Sequence, residues 1–594
     1  MDPATSDSAE TTSDTRAHLL AGALQAVLAY ALYASHAAGV WPASAPSAFV
    51  PLFALMVLAP LGFYLSSAAP VRRRLRIAGA VAALALLVGA YHGLTVGGLA
   101  SDGRGLRLFD EDDFIRPTLL LALVLVIAVP AAAVARGWRV RYEAWFDGLL
   151  HNSLLLLQAG LVTGLFWVVM HSAAALFKLV RLPQLGQVIE RPEFWIPATA
   201  LVLSYGISLA VRHRGVARFL FDRVTQLCGW LYPLAGVLGL AFVASWLFQG
   251  VGPLLETRRA AFLLLWFAVL CVLLVNASSR GGLDTPPYPR WLRRALSSGL
   301  LVLLPMVAVA LYALALRIQQ YGWTVDRIWG LFVALVVAVF ALGYALNALL
   351  EWRGGAERCA VPATNALAAA FVVLGVLLLN GGPLDPRRLS VNDQLQRLAS
   401  GASDQQDPVR YLAREGGVFG RRALQALAAD ASQPAARQRL ARDALLSREQ
   451  RREQQARSVH TLPVFPAGAV APPALLEALV RDGQLGACDP QSCLLWRLPE
   501  AVAGPEVYAV LSRDEGPARQ GGWLWGLNPQ GEWAHRGRLP PQGLDSACER
   551  RAGAALLFDA VREGRVALQA RPAPDIAVGG LRFPIERWDG QRGC

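Results

Sequence analysis

Lysine is almost absent from this chain of 594 residues: Lys178 stands alone, and the rest of its 56 basic residues are arginine. Charge of either sign is thin, at 17% of residues against roughly a quarter in ordinary soluble domains. The deficit is concentrated. Whole stretches carry no charge, as in IWGLFVALVVAVFALGYALNAL at 328–349. One such segment could sit inside a soluble core; a long succession of them excludes a soluble fold. A basic stretch ahead of the first apolar run is missing too. The opening MDPATSDSAETTSDTR is acidic and rich in Ser and Thr, so residues 1–16 read as a disordered tail before an uncleaved helix, and not as a signal peptide. Tandem zinc-ligand pairs and nucleic-acid fold motifs are absent. The net charge of +13 therefore reads as arginine bias, and no nucleic-acid partner is expected. There is no P-loop, GxSxG, HExxH or GxGxxG in a suitable context, hence no reason to assert an enzyme and no expected cofactor.

What is present is apolar length. A hydrocarbon core of roughly 30 Å takes about 20 residues as helix. Eleven segments qualify, near 17–40, 47–67, 75–98, 116–135, 149–175, 193–211, 227–248, 260–276, 295–316, 328–349 and 361–379. The fold class expected is an all-α polytopic transmembrane bundle over 17–379, with the lipid bilayer as its first partner. Arg and Lys in short loops set orientation. One side carries 18, including Arg72, Arg73, Arg74 and Arg76; the other carries 10. The richer side is expected in the cytoplasm with the N-terminus. An odd span count then puts the C-terminal region on the outer side, in the periplasm of a Gram-negative cell. Trp41, Trp138, Tyr142, Trp145, Trp195, Trp291, Tyr321, Trp323 and Trp352 fall near span ends, where amphipathic rings favour the headgroup layer.

Past Asn380 the texture changes. Gly381, Gly382, Pro383 and Pro386 end the last span, and Ser390 with Asp393 three residues on resembles an N-cap arrangement. Residues 380–460 read as a helical juxtamembrane region. From 461 to 594 short runs such as CLLWRL, EVYAVLS and GGWLWGLN, bounded by Gly, Pro and Asp, read as strands. Helical stretches near 474–482 and 548–563 interrupt them. The expectation is a soluble α+β domain with a short antiparallel sheet. Four of the seven cysteines lie here, and an even cluster suits an oxidising compartment. CDPQSC is wrongly spaced for a CxxC redox pair and lacks the partners of a zinc site. Local closure favours Cys488–Cys493, which leaves Cys548–Cys594.

Two stretches, GGPLDPRRLSVNDQLQRLASG after the final span and YGWTVDR at 321–327, resemble the bacterial membrane family catalogued as domain of unknown function 4153, over about 15–420. The resemblance implies a multi-pass inner-membrane topology and no established activity. This chain departs from it after Gly401, where a tyrosine-rich helix is implied and Tyr411 stands nearly alone.

Candidate sites are few. Gly89, Gly93 and Gly97 repeat every four residues in the third span, and Gly160 and Gly164 do so in the fifth; small residues at that spacing let helix backbones approach. His92 lies among the first set, and His151, Asn152 and His171 flank the fifth span. Intramembrane polar groups are functional candidates because their burial is costly, but interhelical hydrogen bonding is the plainer reading, here and at Asn276 and Asn347. Asp110, Glu111, Asp112 and Asp113 form an acidic run that could bind a divalent cation, with Glu190 and Glu193 on the same side. A solvated loop, dispensable for folding, is the favoured reading. The leading function is an envelope protein whose outer domain binds or senses an envelope protein or small ligand. A transporter with a path through the bundle, or a transferase acting on lipid-linked substrates, are the alternatives.

Overall fold

The computed structural model describes residues 3–100, 114–135, 139–182, 184–212, 214–257, 260–284, 288–353, 360–382, 384–400, 408–446, 448–482, 493–499, 506–512, 522–528, 530–538, 547–566, 575–578 and 581–584. They form two compact units, 1–445 and 446–594.

The first unit is helical throughout. In chain order it contains α1 (Pro3–Ala38), α2 (Pro46–Leu65), α3 (Val71–Ala100), α4 (Arg116–Val134), α5 (Tyr142–Leu179), the short α6 (Gln184–Ile189), α7 (Pro192–Arg212), α8 (Arg214–Gln249), the short α9 (Gly252–Glu256), α10 (Ala260–Ser278), α11 (Arg290–Gly299), α12 (Leu303–Tyr321), α13 (Val325–Trp352) and α14 (Val361–Asn380). Among the described residues, eleven helical segments are long and apolar enough to cross a membrane, α11 and α12 counting as one through a 3-10 turn at Leu300–Val302. The chain is a multi-pass membrane protein. α5 is a single helix of 38 residues, about 57 Å long at 1.5 Å per residue. Its buried residues (Trp145, Phe146, Asn152, Leu155 and Ala159) all lie in its first half.

The two larger apolar centres of the bundle lie apart. Leu58, Val81, Ala85, Leu121 and Leu125 pack α2, α3 and α4 together, while Leu264, Ala268, Met306, Val337 and Tyr344 pack α10, α12 and α13. α14 belongs to both, through Leu377 at the first and Val361 at the second. Small residues set the closest approaches. A Cβ on Gly89 would lie 2.6 Å from the Cα of Pro51, and one on Gly93 would lie 2.8 Å from the carbonyl oxygen of Pro46, so α2 and α3 touch backbone to backbone. Gly160 and Gly164 differ: nothing lies within 4 Å of a Cβ at either position. Identical spacing thus marks a helix contact on α3 and an open face on α5. Gly97 lies in the last turns of α3, and its surroundings are outside what the structure describes.

After α14 come α15 (Pro386–Ser400), α16 (Pro408–Glu415), α17 (Gly417–Ala429) and α18 (Ala435–Leu445). They share a small core of Val391, Val409, Leu412, Ala423, Leu424 and Ala441, and α17 packs against α3.

The second unit opens with α19 (Arg448–His460) and includes α20 (Pro473–Asp482) and α21 (Ala547–Arg562) around a five-stranded sheet. Its strands are β1 (Val464–Phe465), β2 (Cys493–Arg497), β3 (Tyr508–Ser512), β4 (Trp523–Leu527) and β5 (Trp533–Arg538), in sequential order. β2 to β5 are antiparallel, as their short connections dictate. β1 instead runs parallel to β2, because α20 intervenes as a crossover, so the sheet is mixed and not purely antiparallel as expected. Strand alternation gives the sheet two buried faces. Cys493, Leu495, Tyr508 and Val510 pack with Leu475 and Leu479 of α20; Leu494, Ala509 and Leu511 pack with Phe558 and Val561 of α21. A separate hairpin, β6 (Asp575–Val578) with β7 (Leu581–Pro584), completes the unit.

Candidate functional site

The densest buried polar constellation lies where the end of α3 meets the start of α15. Asp385 ends the connection from α14 and is 2% exposed. It occupies the N-cap position of α15: its Oδ1 accepts from the backbone N–H of Arg387 at 2.8 Å, while Pro386 takes the first helical position, where a missing N–H costs nothing. Sequence spacing pointed to Ser390 as the capping group, but Ser390 lies inside the helix.

Asp385 is saturated. Oδ1 also accepts from Arg387 Nε at 3.2 Å, and Oδ2 accepts from the Tyr91 hydroxyl at 2.7 Å and from Arg387 Nη2 at 2.9 Å. Burial alone would push this carboxyl up, but the Arg387 hydrogen bonds and charge, with Tyr91, hold it below its ordinary value. Arg387 Nη2 reaches on to Thr95 Oγ1 at 3.3 Å and His92 Nδ1 at 3.4 Å. A guanidinium can only donate, so in this contact Nδ1 accepts and the neutral ring carries its proton on Nε2.

About two helical turns further, α15 grips the turn between α12 and α13. Asp393 Oδ2 accepts from the Trp323 N–H at 2.8 Å; Gln394 Nε2 donates to the carbonyls of Tyr321 and Trp323 at 3.3 and 3.2 Å. Arg397 pairs with Asp393 at 3.3 Å and donates to the carbonyls of Ile318 and Gln319. Those carbonyls belong to the last turn of α12, where orphan acceptors need partners. Tyr411 of α16 closes the arrangement, accepting from Ser390 Oγ at 2.5 Å and from the Val325 N–H at 3.1 Å. Burial raises its phenol above the usual value. The turn is possible because Gly322 adopts φ +77°, and a Cβ there would overlap the Asp393 carboxylate. GGPLDPRRLSVNDQ and YGWTVDR, far apart in sequence, are therefore two halves of one polar clasp.

A second network lies at the opposite end of α14. Asn365 Nδ2 donates to the Tyr142 hydroxyl at 2.8 Å and to Asn276 Oδ1 at 2.6 Å. Asn276 donates to the Tyr344 hydroxyl at 2.9 Å, and Tyr142 donates to the Gly281 carbonyl at 2.8 Å. Four spans are tied by amides and phenols alone. Asn347 stands nearby, its Oδ1 accepting from the Ala360 N–H at 3.0 Å and so capping the entry to α14.

The other polar candidates are dispersed. Asn152 is buried and donates to the Leu65 carbonyl at 2.9 Å, an interhelical bond from α5 to α2. His151 precedes it, partly buried, and His171 is exposed beside Trp167. Glu190 and Glu193 are exposed, and no group of three metal-ligating side chains occurs among the described residues. Asp110, Glu111, Asp112 and Asp113 lie outside the described residues, as do Cys488 and Cys594, and the side chain of Cys548. Cys493 opens β2, 1% exposed; the free thiols among the described residues are Cys228 and Cys271. Sequence reasoning passed over Asp385, Arg387, Tyr91, Gln394 and Asn365. The available signal was the pair of opposite charges immediately after an apolar span, at Asp385 and Arg387.

Eleven spans among the described residues, with a buried ionic clasp that fastens α15 to α3 and to the α12–α13 turn, define a polytopic membrane protein with a juxtamembrane helical cap. The model of the family described as "Domain of unknown function (DUF4153)" matches residues 15–431, and the chain belongs to that family. The match includes the whole clasp, Tyr411 included. No curated protein and no solved structure matches the chain.

Proposed function

We propose that this protein is a bacterial envelope protein of the cytoplasmic membrane, in which the bundle is an anchor and the C-terminal α/β unit binds or senses a ligand on the outer side. The observation that carries the reading is the clasp. Asp385, Arg387, Asp393 and Arg397 are all engaged with neighbours, which suits fixing a cap to the bundle and leaves the clasp's carboxylates committed to structure. The cysteine cluster of the second unit, with Cys488–Cys493 and Cys548–Cys594 as the proposed pairs, supports an oxidising location. The arginine asymmetry supports the same orientation. Alkaline phosphatase fused after Cys594 is expected to be active and the same reporter after Arg74 inactive; the inverse pattern overturns the placement. A transporter is the second reading, favoured by the network of Tyr142, Asn276, Tyr344 and Asn365, since neutral polar groups shared by four spans can part and re-form as helices move. Distance measurements between α5 and α14 that sample two populations would favour it; a single population favours the anchor.

A further inference from the structure

Among the described residues, one corner of the sheet in the second unit is left open. On β2 the pleat turns Leu494 and Trp496 toward the face that α21 covers. α21 covers the centre of that face through Phe558 and Val561 and then stops. Its end is firm: Gly564 takes φ +69°, the Gly564 N–H donates to the Val561 carbonyl at 3.2 Å and the Arg565 N–H donates to the Ala560 carbonyl at 2.9 Å, which satisfies the helix end. Beyond that point Phe465 and Trp496, directly paired in register across β1 and β2, remain only partly buried. With Leu498, Val561 and Val566 they form a groove of about 650 Å³, within the usual range of small-molecule sites.

The rim carries an unbalanced positive charge. Glu563 is held by Arg565, whereas Arg562, exposed at the groove's edge, has no ion pair among the described residues. Arg497 borders the groove as well, although alternation turns its side chain toward the opposite face, where it pairs with Tyr508. We propose that this groove binds a small amphiphilic carboxylate, its compact apolar or aromatic body against Trp496 and Phe465 and its acid on Arg562. Aromatic walls supply contact area, and the charge selects the sign of the polar end. The inference rests on reading the α/β unit as the ligand-binding part of the molecule.

The test uses the full chain in zwitterionic nanodiscs, with 3-phenylpropanoate and 3-phenylpropanamide as probes and empty nanodiscs as the blank. Saturable binding of both is expected, with the acid preferred about fivefold, the scale of one exposed charge pair. Arg562→Gln, at a solvent-facing helix end, is expected to erase that preference without weakening the amide. Trp496→Ala is expected to weaken both probes tenfold or more. Absence of saturable binding to the intact chain overturns the proposal, and so does an acid preference that survives Arg562→Gln. Binding together with an inverted phosphatase pattern would overturn the outer location alone; no binding with the expected pattern would overturn the groove alone.

Discussion

Asp385 shows how one side chain can fix an interface it does not dominate by area. It caps α15, neutralises Arg387 and receives Tyr91 from α3, so its removal strands a buried guanidinium. Breaking one side of such a pair costs about 3–5 kcal/mol. Asp385→Ala is therefore expected to release α15, read as loss of amide exchange protection over 386–400 with the spans unaffected. Its titration has a defined direction. The folded carboxyl lies below the ordinary 3.8, so its contribution is complete above the unfolded value and is lost as pH falls through the folded one. Protection of α15 is expected to stay level from pH 7 to 5 and to fail only below about 4. Failure between pH 6 and 5 would assign the lock to another group. Gly322 is the complementary case. Its φ of +77° and the adjacent Asp393 carboxylate admit no side chain, and Gly322→Ala is expected to destabilise the turn by more than about 1 kcal/mol, lowering the melting temperature of the detergent-solubilised protein.

At the scale of elements, repeated glycine and helix contact turn out to be separable. Gly89 and Gly93 meet the backbone of α2, whereas Gly160 and Gly164 meet open space. Gly89→Leu is expected to abolish membrane accumulation and Gly160→Leu to leave it unchanged; equal effects would mean that α5 has a helical neighbour in the membrane. The eleven spans were readable from the sequence because bilayer thickness dictates their length and burial cost clears them of charge. The clasp was not, since Tyr91 and Asp385 lie 294 residues apart and only their contact gives either a role. Asp393 misled for the same reason. Its three-residue spacing from Ser390 is a local pattern, while its partner is the Trp323 N–H in a distant turn. The parallel edge strand β1 was hidden by brevity, as two residues offer no alternation to read.

For the whole molecule, the cysteines give the most direct check on compartment. Peptide mapping without reductant is expected to recover Cys488 joined to Cys493 and Cys548 joined to Cys594, with Cys228 and Cys271 as thiols; four thiols in the last 110 or so residues would contradict both pairing and location. On the chain-entropy model the longer loop contributes about 4 kcal/mol and the shorter about 2, so Cys594→Ser should loosen the unit more than Cys493→Ser. A different consequence follows from the contrast between α5 and α14. α14 starts at one polar network, through Asn365, leads directly into the other at Asp385, and touches the two larger apolar centres of the bundle. α5 buries residues only in its first half; its second half meets α7 through Trp167, whose Nε1 donates to Thr199 Oγ1 at 3.2 Å, and the helix as a whole outruns a hydrocarbon layer of roughly 30 Å. Bilayer thickness is therefore expected to act as a coordinate of this protein's shape: the far half of α5, with its contact on α7, should lean in thin lipid and stand up in thick lipid, like a gauge needle against the post of α14. Spin labels at Leu165 and Leu374 in nanodiscs of short and long acyl chains should register it as a thickness-dependent distance, against a constant distance between labels at Leu374 and Leu119.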